Sequence, residues 1–184
     1  MKQQSSLHSL TVSGLTAAVM CVLGPITVPI GPVPVSLMTL VLFVTAYVLG
    51  VRMSLMSLIV YLLLGAAGLP VFSGYQGGLA KLAGPTGGYL VGYLLLTLLC
   101  GTAAEHSRRN PTAVLAGMVL GTAALYVFGT AWFMLSTGTT LLASLSLCVF
   151  PFVLLDLAKM AVALLAGRAV RDALEKARLL PEQC

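Results

Sequence analysis

The sequence predicts an all-α membrane protein with six transmembrane helices. Hydrophobic residues make up 59% of the chain and charged residues 8%, and the mean hydropathy is +1.03. So little polar surface cannot cover a soluble globule of 184 residues. The apolar runs lack the period-2 alternation of a membrane β-barrel, so helices must satisfy the backbone in lipid. Breaks rich in glycine, proline or charge divide these runs into six.

Six spans follow from these breaks, and we expect one membrane domain to use residues 1–184. The first three spans are short for the roughly 20 residues that a bilayer requires, so we expect loops to cover one end of each. The predicted helices lie near 10–23, 36–49, 54–67, 85–104, 112–135 and 151–176.

The apolar stretch 141–149 is too short for a span of its own, and Pro151 follows it. Proline suits the first turn of a helix and damages a helix interior. We therefore expect a half-length helix at 141–149, lying across one face of the bundle, and a separate sixth span from Pro151. A single longer sixth helix is the alternative.

The connection between the third and fourth spans predicts an ordered cap on the outer surface. It runs from about 69 to 84, contains Gly77 and Gly78, and leads into the sequence GPTGGY at 84–89. Loops of this length are usually functional or disordered. This loop is too apolar and too rich in turn-forming glycines for disorder, so we expect a binding pocket beneath it.

The basic residues predict that both termini lie in the cytoplasm. In that orientation eight basic residues fall on the cytoplasmic side, where such residues accumulate, and only Lys81 falls in an outer loop. Attraction to anionic membrane lipid then accounts for the net charge of +5, and we expect no nucleic-acid partner. The eight residues are Lys2, Arg52, Arg108, Arg109, Arg168, Arg171, Lys176 and Arg178.

The polar residues indicate no catalytic group, metal site or cofactor. Histidines are few and lack a neighbouring acid or nucleophile, and the cysteines are scattered without a CxxC pair, so they serve as small apolar fillers. The nucleotide-binding pattern GxxxxGK[ST] is absent, so active uptake of a solute would need partner subunits. The four cysteines are Cys21, Cys100, Cys148 and Cys184.

Asp156 and Lys159 are the charged residues that fall inside an apolar span. A charge in a span costs about 2.5 to 3.5 kcal/mol on insertion scales, so such residues are normally paired and functional. A spacing of three places the two side chains on one helical face. We expect them to form the polar end of an outward-facing pocket, and the alternative is an ion pair that only stabilises the bundle.

The chain carries in order the segments IGPVPV at 30–35, GVR at 50–52, GAAGLPVF at 65–72, GG at 77–78, GPTGGYLVG at 84–92, and Pro151-Phe152 followed by Asp156 and Lys159. Together these segments resemble the BioY family, the biotin-specific S components of energy-coupling-factor (ECF) transporters. The resemblance runs from about Gly14 to Gly167 and implies a six-helix S-component bundle in a bacterial or archaeal cytoplasmic membrane. It also implies a biotin site, a transmembrane coupling subunit and two cytoplasmic subunits that hydrolyse ATP.

Biotin, a ligand with a ureido ring, an apolar body and a carboxylate, fits the polar residues of the pocket. We expect Asp156 to accept a ureido N–H, and Lys159 to donate to the ligand or to Asp156. The resemblance implies further contacts from the cap and its surroundings, with an interfacial anchor as the alternative role of Tyr89. The polar and backbone contacts are Gln76, Gly77 and Tyr89, and the apolar wall is Val35, Phe72 and Leu82.

The resemblance also implies a docking face for the coupling subunit on the first helix. Its small residues, Gly14, Ala17, Ala18 and Cys21, permit close approach of another helix, and packing within the bundle is the alternative. Family members commonly carry glutamine where this chain has Met38, and glycine where it has Leu155.

Three other functions remain open at this point. A membrane enzyme would need a nucleophile, an acid-base pair or a metal cluster, none of which the pattern indicates. A structural membrane protein would leave the cap and the Asp156/Lys159 pair without a purpose. An S component for another vitamin is the nearest alternative.

Overall fold

The computed structural model describes residues 2–28, 33–106 and 110–176. Within them the chain forms seven helices and two short antiparallel strands, in which Thr27 pairs with Ser36. The helices are α1 (Lys2–Leu23), α2 (Met38–Ala66), α3 (Leu79–Ala83), α4 (Gly87–His106), α5 (Pro111–Thr137), α6 (Leu141–Cys148) and α7 (Phe150–Lys176), and the strands are β1 (Thr27–Val28) and β2 (Val35–Ser36).

Helix α2 is a helical hairpin that reverses at Gly50. This glycine has a φ of 77° and a ψ of −174°, a conformation that costs glycine less than any other residue. Ser36, which precedes the first arm (38–49), donates its hydroxyl to the Gly24 carbonyl at 3.2 Å. Tyr61, in the second arm (51–66), also lies against Gly24. Both outer ends of the hairpin therefore lie at the same end of the bundle, and α2 supplies two spans.

The opposite end of the hairpin is held by α4. The carboxylate of Glu105 accepts a hydrogen bond from the Val51 backbone N–H at 2.8 Å, next to the reversal at Gly50. A charge-assisted bond of this kind compensates a backbone donor that the turn leaves without a helical partner.

Helices α4 and α5 pack antiparallel along their length. Trp132 packs over Gly88 at the cap end, and Ala103 packs against Gly117 at the other end. Small residues at these crossings allow the two backbones to approach closely, which is the main source of helix association in lipid.

Helix α7 runs parallel to the first arm of α2. Thr39 bonds to Asp156 near the cap, and Tyr47 packs against Gly167 farther along both helices. Because α1 ends at the cap and α7 begins there, Lys2 and Lys176 lie at the end opposite the cap.

The fold prediction is confirmed: the chain is a six-span helical bundle with an ordered cap. Helices α2, α4, α5 and the segment Leu141–Leu174 are long and apolar enough to cross a membrane, and Leu7–Leu23 adds a shorter apolar helix. Counting the two arms of α2 separately gives six passes. Outward-facing leucines such as Leu15, Leu135 and Leu154 are exposed, as expected of side chains that face lipid.

Four elements differ from the sequence prediction in their bounds or existence. Helix α1 begins at Lys2 instead of near residue 10, because its polar first turns continue the helix beyond the apolar run. The strands β1 and β2, and the five-residue helix α3 in the cap, were not predicted because each is too short for a periodic pattern. Helix α6 ends at Cys148, and Pro151 lies in the first turn of α7.

Candidate ligand-binding site

A cavity lies beneath the cap, bounded by α2, α4, α5 and α7. It encloses about 590 Å³ including the open space at its mouth. The centres of water molecules can occupy only about 60 Å³ of this space, so the walls lie close together. Its inner end is polar and its sides are formed by apolar and aromatic residues, among them Leu90, Tyr93, Leu125 and Phe152.

The polar inner end is built around the ion pair of Asp156 and Lys159. The Lys159 Nζ lies 2.9 Å from Asp156 Oδ1, and the two residues are one helical turn apart on α7. Asp156 is only 4% exposed. An ionised carboxylate at this depth requires a counter-charge and hydrogen bonds, and this site provides both.

Lys159 uses all three of its N–H donors on the protein. They reach the Ser36 carbonyl at 2.8 Å, the Thr39 hydroxyl at 2.9 Å and Asp156 Oδ1 at 2.9 Å. A lysine ammonium has no fourth donor. Lys159 therefore connects α7 to the first arm of α2 and fixes Asp156, and a bond to a ligand would require one of these three to be exchanged.

The carboxylate of Asp156 keeps one acceptor position open. Its Oδ1 accepts from Lys159 and from the Thr39 hydroxyl at 3.2 Å, while its Oδ2 accepts from the Tyr126 hydroxyl at 2.6 Å. Each carboxylate oxygen can accept about two hydrogen bonds. The second position on Oδ2 is therefore available to a donor in the cavity.

Sequence reasoning missed Tyr126 and Thr39, which hold the carboxylate. Nothing in the sequence separates Tyr126 from the other tyrosines of the apolar spans, because its partner lies thirty positions away on another helix. Thr39 is even farther from Asp156 along the chain. Only the packing of α2, α5 and α7 brings these groups together.

Two tyrosines of α4 face the cavity in different ways. The Tyr89 hydroxyl makes long hydrogen bonds to Thr130 and to the Cys148 carbonyl, at 3.4 and 3.5 Å, so its ring forms part of the wall. The Tyr93 hydroxyl makes no hydrogen bond to any residue within the described ranges, although the side chain is only 7% exposed. Tyr93 is therefore free to bond to a ligand.

Five predicted site residues do not line this cavity. Val35 and Phe72 are buried in the core beside it, and Leu82 is partly buried against the same core. Gln76 and Gly77 line a separate, open depression on the outer face of the cap. Their proposed contacts with a ligand stay predictions, and the structure places only Asp156, Lys159 and Tyr89 on the cavity wall.

The cap is held rigidly on α2 by Phe72. Its ring meets that of Tyr61 edge to face at 5.6 Å and lies directly over Gly65, where any side chain would collide with it. Paired backbone bonds between Phe72 and Gln76, at 2.8 and 3.3 Å, close a tight turn. Phe72 thus supports the cap from below, which explains why it is buried away from the cavity.

Lys81 and Thr86 line both the cavity and the outer depression, so they stand at the neck between them. Lys81 is partly buried in α3, and this burial lowers the pKa of its ammonium group from the ordinary lysine value. Within the described part of the chain this ammonium group has no ion-pair or hydrogen-bond partner.

The two departures from the family pattern lie off the cavity wall. Met38 is 1% exposed and belongs to the hydrophobic core at the start of α2. Leu155 is 39% exposed on the outward face of α7. Neither residue therefore alters the cavity lining directly.

The small residues of α1 differ in burial, and their role as a docking surface for a coupling subunit stays a prediction. Ala17 is 2% exposed and packs into the bundle, and Cys21 packs against the same core. Gly14 and Ala18 lie on the exposed face, and nothing lies within 4 Å of a Cβ placed at Gly14. The four positions are spaced i, i+3, i+4 and i+7 and so share one helical stripe, which lies along the border between the buried and the exposed side of α1.

Some predicted residues lie outside the described ranges. These are Ile30, Gly31 and Pro32 of the IGPVPV segment, the basic residues Arg108, Arg109 and Arg178, and Cys184. Across residues 2–28, 33–106 and 110–176, no group of three or more His, Cys, Asp or Glu side chains converges on a possible metal site.

The family model for the BioY family matches residues 1–176. The chain is 36% identical over 172 residues to biotin transporter BioY2 of Lactococcus lactis subsp. cremoris, covering 94% of both chains. It is 38% identical over 160 residues to biotin transporter BioY of Thermotoga maritima, covering 86% of this chain and 93% of the relative.

A solved structure shares the fold. It is the crystal structure of the S component for biotin from an ECF-type ABC transporter, with a TM-score of 0.85 and 28% sequence identity. The match covers 94% of this chain and 95% of the solved chain.

Proposed function

The chain belongs to the BioY family, and we propose that it captures biotin as the substrate-binding S component of an ECF-type ABC transporter. It is a multi-pass membrane protein, and its family is a transporter component and not an enzyme. The observation that carries the proposal is the buried carboxylate of Asp156, which presents one open acceptor position to a narrow, largely apolar cavity.

The chemistry of biotin matches this cavity group by group. A ureido N–H donates to the open position on Asp156 Oδ2, and the free Tyr93 hydroxyl donates to the ureido carbonyl. The apolar tetrahydrothiophene ring and chain of the ligand pack against Tyr89, Leu90 and Phe152. Lys159 supplies the counter-charge of the carboxylate and orients it for a charge-assisted bond to the ligand.

Calorimetry on the purified chain tests this function directly. Biotin should bind with one site per chain, and riboflavin, thiamine and folate should show no binding, because each lacks a cyclic urea of matching size. Selective binding of another vitamin would favour the alternative S component. Binding of none of these ligands by folded protein would favour a purely structural role.

We also propose that the cap faces the outside and both termini face the cytoplasm. Basic residues support this orientation: Arg52, Arg168, Arg171 and Lys176 are all at the end opposite the cap. In a background without native cysteines, Ala80→Cys in the cap should react with an impermeant maleimide in intact cells. Lys176→Cys should react only after permeabilisation, and the reverse pattern would invert the topology.

Partner subunits complete the transporter in this proposal. The chain lacks a nucleotide-binding motif, so a transmembrane coupling subunit and two cytoplasmic ATPases would supply the energy by hydrolysing ATP. The face of α1 that carries Gly14 and Ala18 supports docking, since it is exposed and its small residues admit a close helix crossing.

A bulky residue on this face tests the docking surface. Ala18→Trp should leave biotin binding intact and abolish co-purification with the coupling subunit. Ala116→Trp, at an exposed position on α5, is the matched control and should retain the complex. Loss of the complex in both variants, or in neither, would remove α1 as the docking face.

A further inference from the structure

We propose that Lys81 binds the carboxylate of the ligand at the mouth of the cavity, and so makes the site selective for the free acid over its neutral amide. This inference rests on the proposed capture of biotin. The sequence places Lys81 in an outer loop, and none of the predicted ligand contacts involves it.

The first argument is position. Lys81 lines the cavity that contains Asp156, and it also lines the outer depression formed with Gln76, Gly84 and Pro85. A residue shared by both spaces stands where one opens into the other. A ligand whose ureido ring reaches Asp156 at the inner end must therefore extend its tail toward Lys81.

Charge balance gives the second argument. At the inner end Asp156 and Lys159 neutralise each other at 2.9 Å. Lys81 has no counter-ion among the residues the structure describes, so the described cavity lining carries one uncompensated positive charge. An anionic ligand restores neutrality, whereas a neutral ligand leaves a partly desolvated ammonium unpaired.

Elimination of the other cation gives the third argument. Lys159 already donates to Ser36, Thr39 and Asp156, and it lies beside a carboxylate that repels a second anion. The ligand carboxylate therefore cannot bind at the inner end without breaking that network. Burial lowers the pKa of Lys81, as expected for a cation without a partner, and a bound carboxylate would reverse that effect.

Calorimetry with paired ligands tests the inference on the full-length protein. Biotin and biotinamide share the ureido ring, the apolar body and nearly the same shape, and differ in the charge of the tail. Wild type should bind biotin about tenfold more tightly than biotinamide, which corresponds to about 1.4 kcal/mol. Lys81→Met should lose this tenfold advantage for biotin and bind biotinamide as the wild type does.

Two control variants keep the result interpretable. Lys81→Arg preserves the charge and should retain most of the discrimination, and Lys176→Met, at the opposite end of the bundle, should change neither affinity. Raising the salt concentration should narrow the difference in affinity between biotin and biotinamide in the wild type. It should leave the affinities of Lys81→Met for both ligands unchanged.

The outcomes separate this inference from the function on which it rests. If Lys81→Met weakens both ligands equally, Lys81 supports the cap instead of binding the tail, and the inference fails while biotin capture stands. If Lys81→Met weakens the binding of neither ligand, the inference also fails while biotin capture stands. If folded wild-type protein binds neither ligand, the proposed function fails, and the inference fails with it.

Discussion

At the inner end of the cavity the protein itself satisfies the polar side chains of Asp156 and Lys159, whereas at the mouth no described residue pairs with Lys81. The inner groups are fixed by bonds among three helices, α2, α5 and α7. Lys81 lies on the short helix α3 within the cap. The contrast shows that the polar side chains are preorganised at the inner end of the cavity and that the ammonium group at its mouth is not.

Preorganisation of this kind has a physical advantage. A carboxylate already oriented by three hydrogen bonds loses little further entropy when a ligand binds to it. The flexible side chain of Lys81 must be ordered when the ligand binds, so its contribution is smaller and more sensitive to salt. We therefore expect substitutions at the inner end to have larger effects than changes at the mouth.

The largest expected effect is that of Asp156→Asn. The variant keeps the shape of the side chain and replaces a charged acceptor with a neutral amide, a loss of about 1.5 to 3 kcal/mol for a hydrogen bond to a charged group. Biotin affinity should fall about 10- to 150-fold by calorimetry. Folded Asp156→Asn protein with wild-type affinity would exclude Asp156 from the site.

Lys159→Met should weaken biotin binding by about tenfold, because Lys159 acts through Asp156 and not on the ligand. It should also lower the midpoint of thermal unfolding, since removing one partner of a buried pair leaves the other uncompensated. The double variant should lose less affinity than the sum of the two single variants. Additive losses would show instead that Lys159 contacts biotin independently.

Tyr126→Phe should have a smaller effect, about two- to tenfold on biotin affinity, corresponding to about 0.5 to 1.5 kcal/mol for one positioning hydrogen bond. It removes the 2.6 Å bond to Asp156 Oδ2 and retains the ring in the wall. Tyr47→Phe, on the far part of the first arm of α2, is a matched control and should bind normally. An unchanged affinity in Tyr126→Phe would show that Lys159 and Thr39 hold the carboxylate without it.

The smallest expected effect is the pH dependence at the mouth. Burial lowers the pKa of Lys81, so this ammonium loses its proton at a lower pH than an ordinary lysine. Only the charged form attracts a carboxylate, and biotin affinity should therefore decline as pH rises through that lowered pKa, by less than about tenfold. Biotinamide binding and the Lys81→Met variant should show no such decline in calorimetry across the alkaline range.

The fold was predictable to a large extent because the bilayer restricts what an apolar chain can do. Six apolar runs separated by breaks already specify six helices, because only helices and closed barrels satisfy the backbone hydrogen bonds in lipid, and the runs lack the pattern of a barrel. The reversal at Gly50 was foreseen as a break between two spans, and Gly50 is the residue within α2 whose backbone angles are not helical. The short elements β1, β2 and α3 were not predicted, because two to five residues are too few to show a hydrophobic periodicity.

The sequence by itself determined the class of the protein, the position of the cap and the pair Asp156 and Lys159. The pair can be recognised from the sequence because a charge inside an apolar span is costly and therefore rare. Only the tertiary structure decided what surrounds that pair. Thr39 and Tyr126 reach Asp156 from other helices, and Ala17 turns inward while Ala18 faces out. Contacts between distant helices depend on rotation and packing, and an apolar chain of similar residues does not encode these in any local pattern.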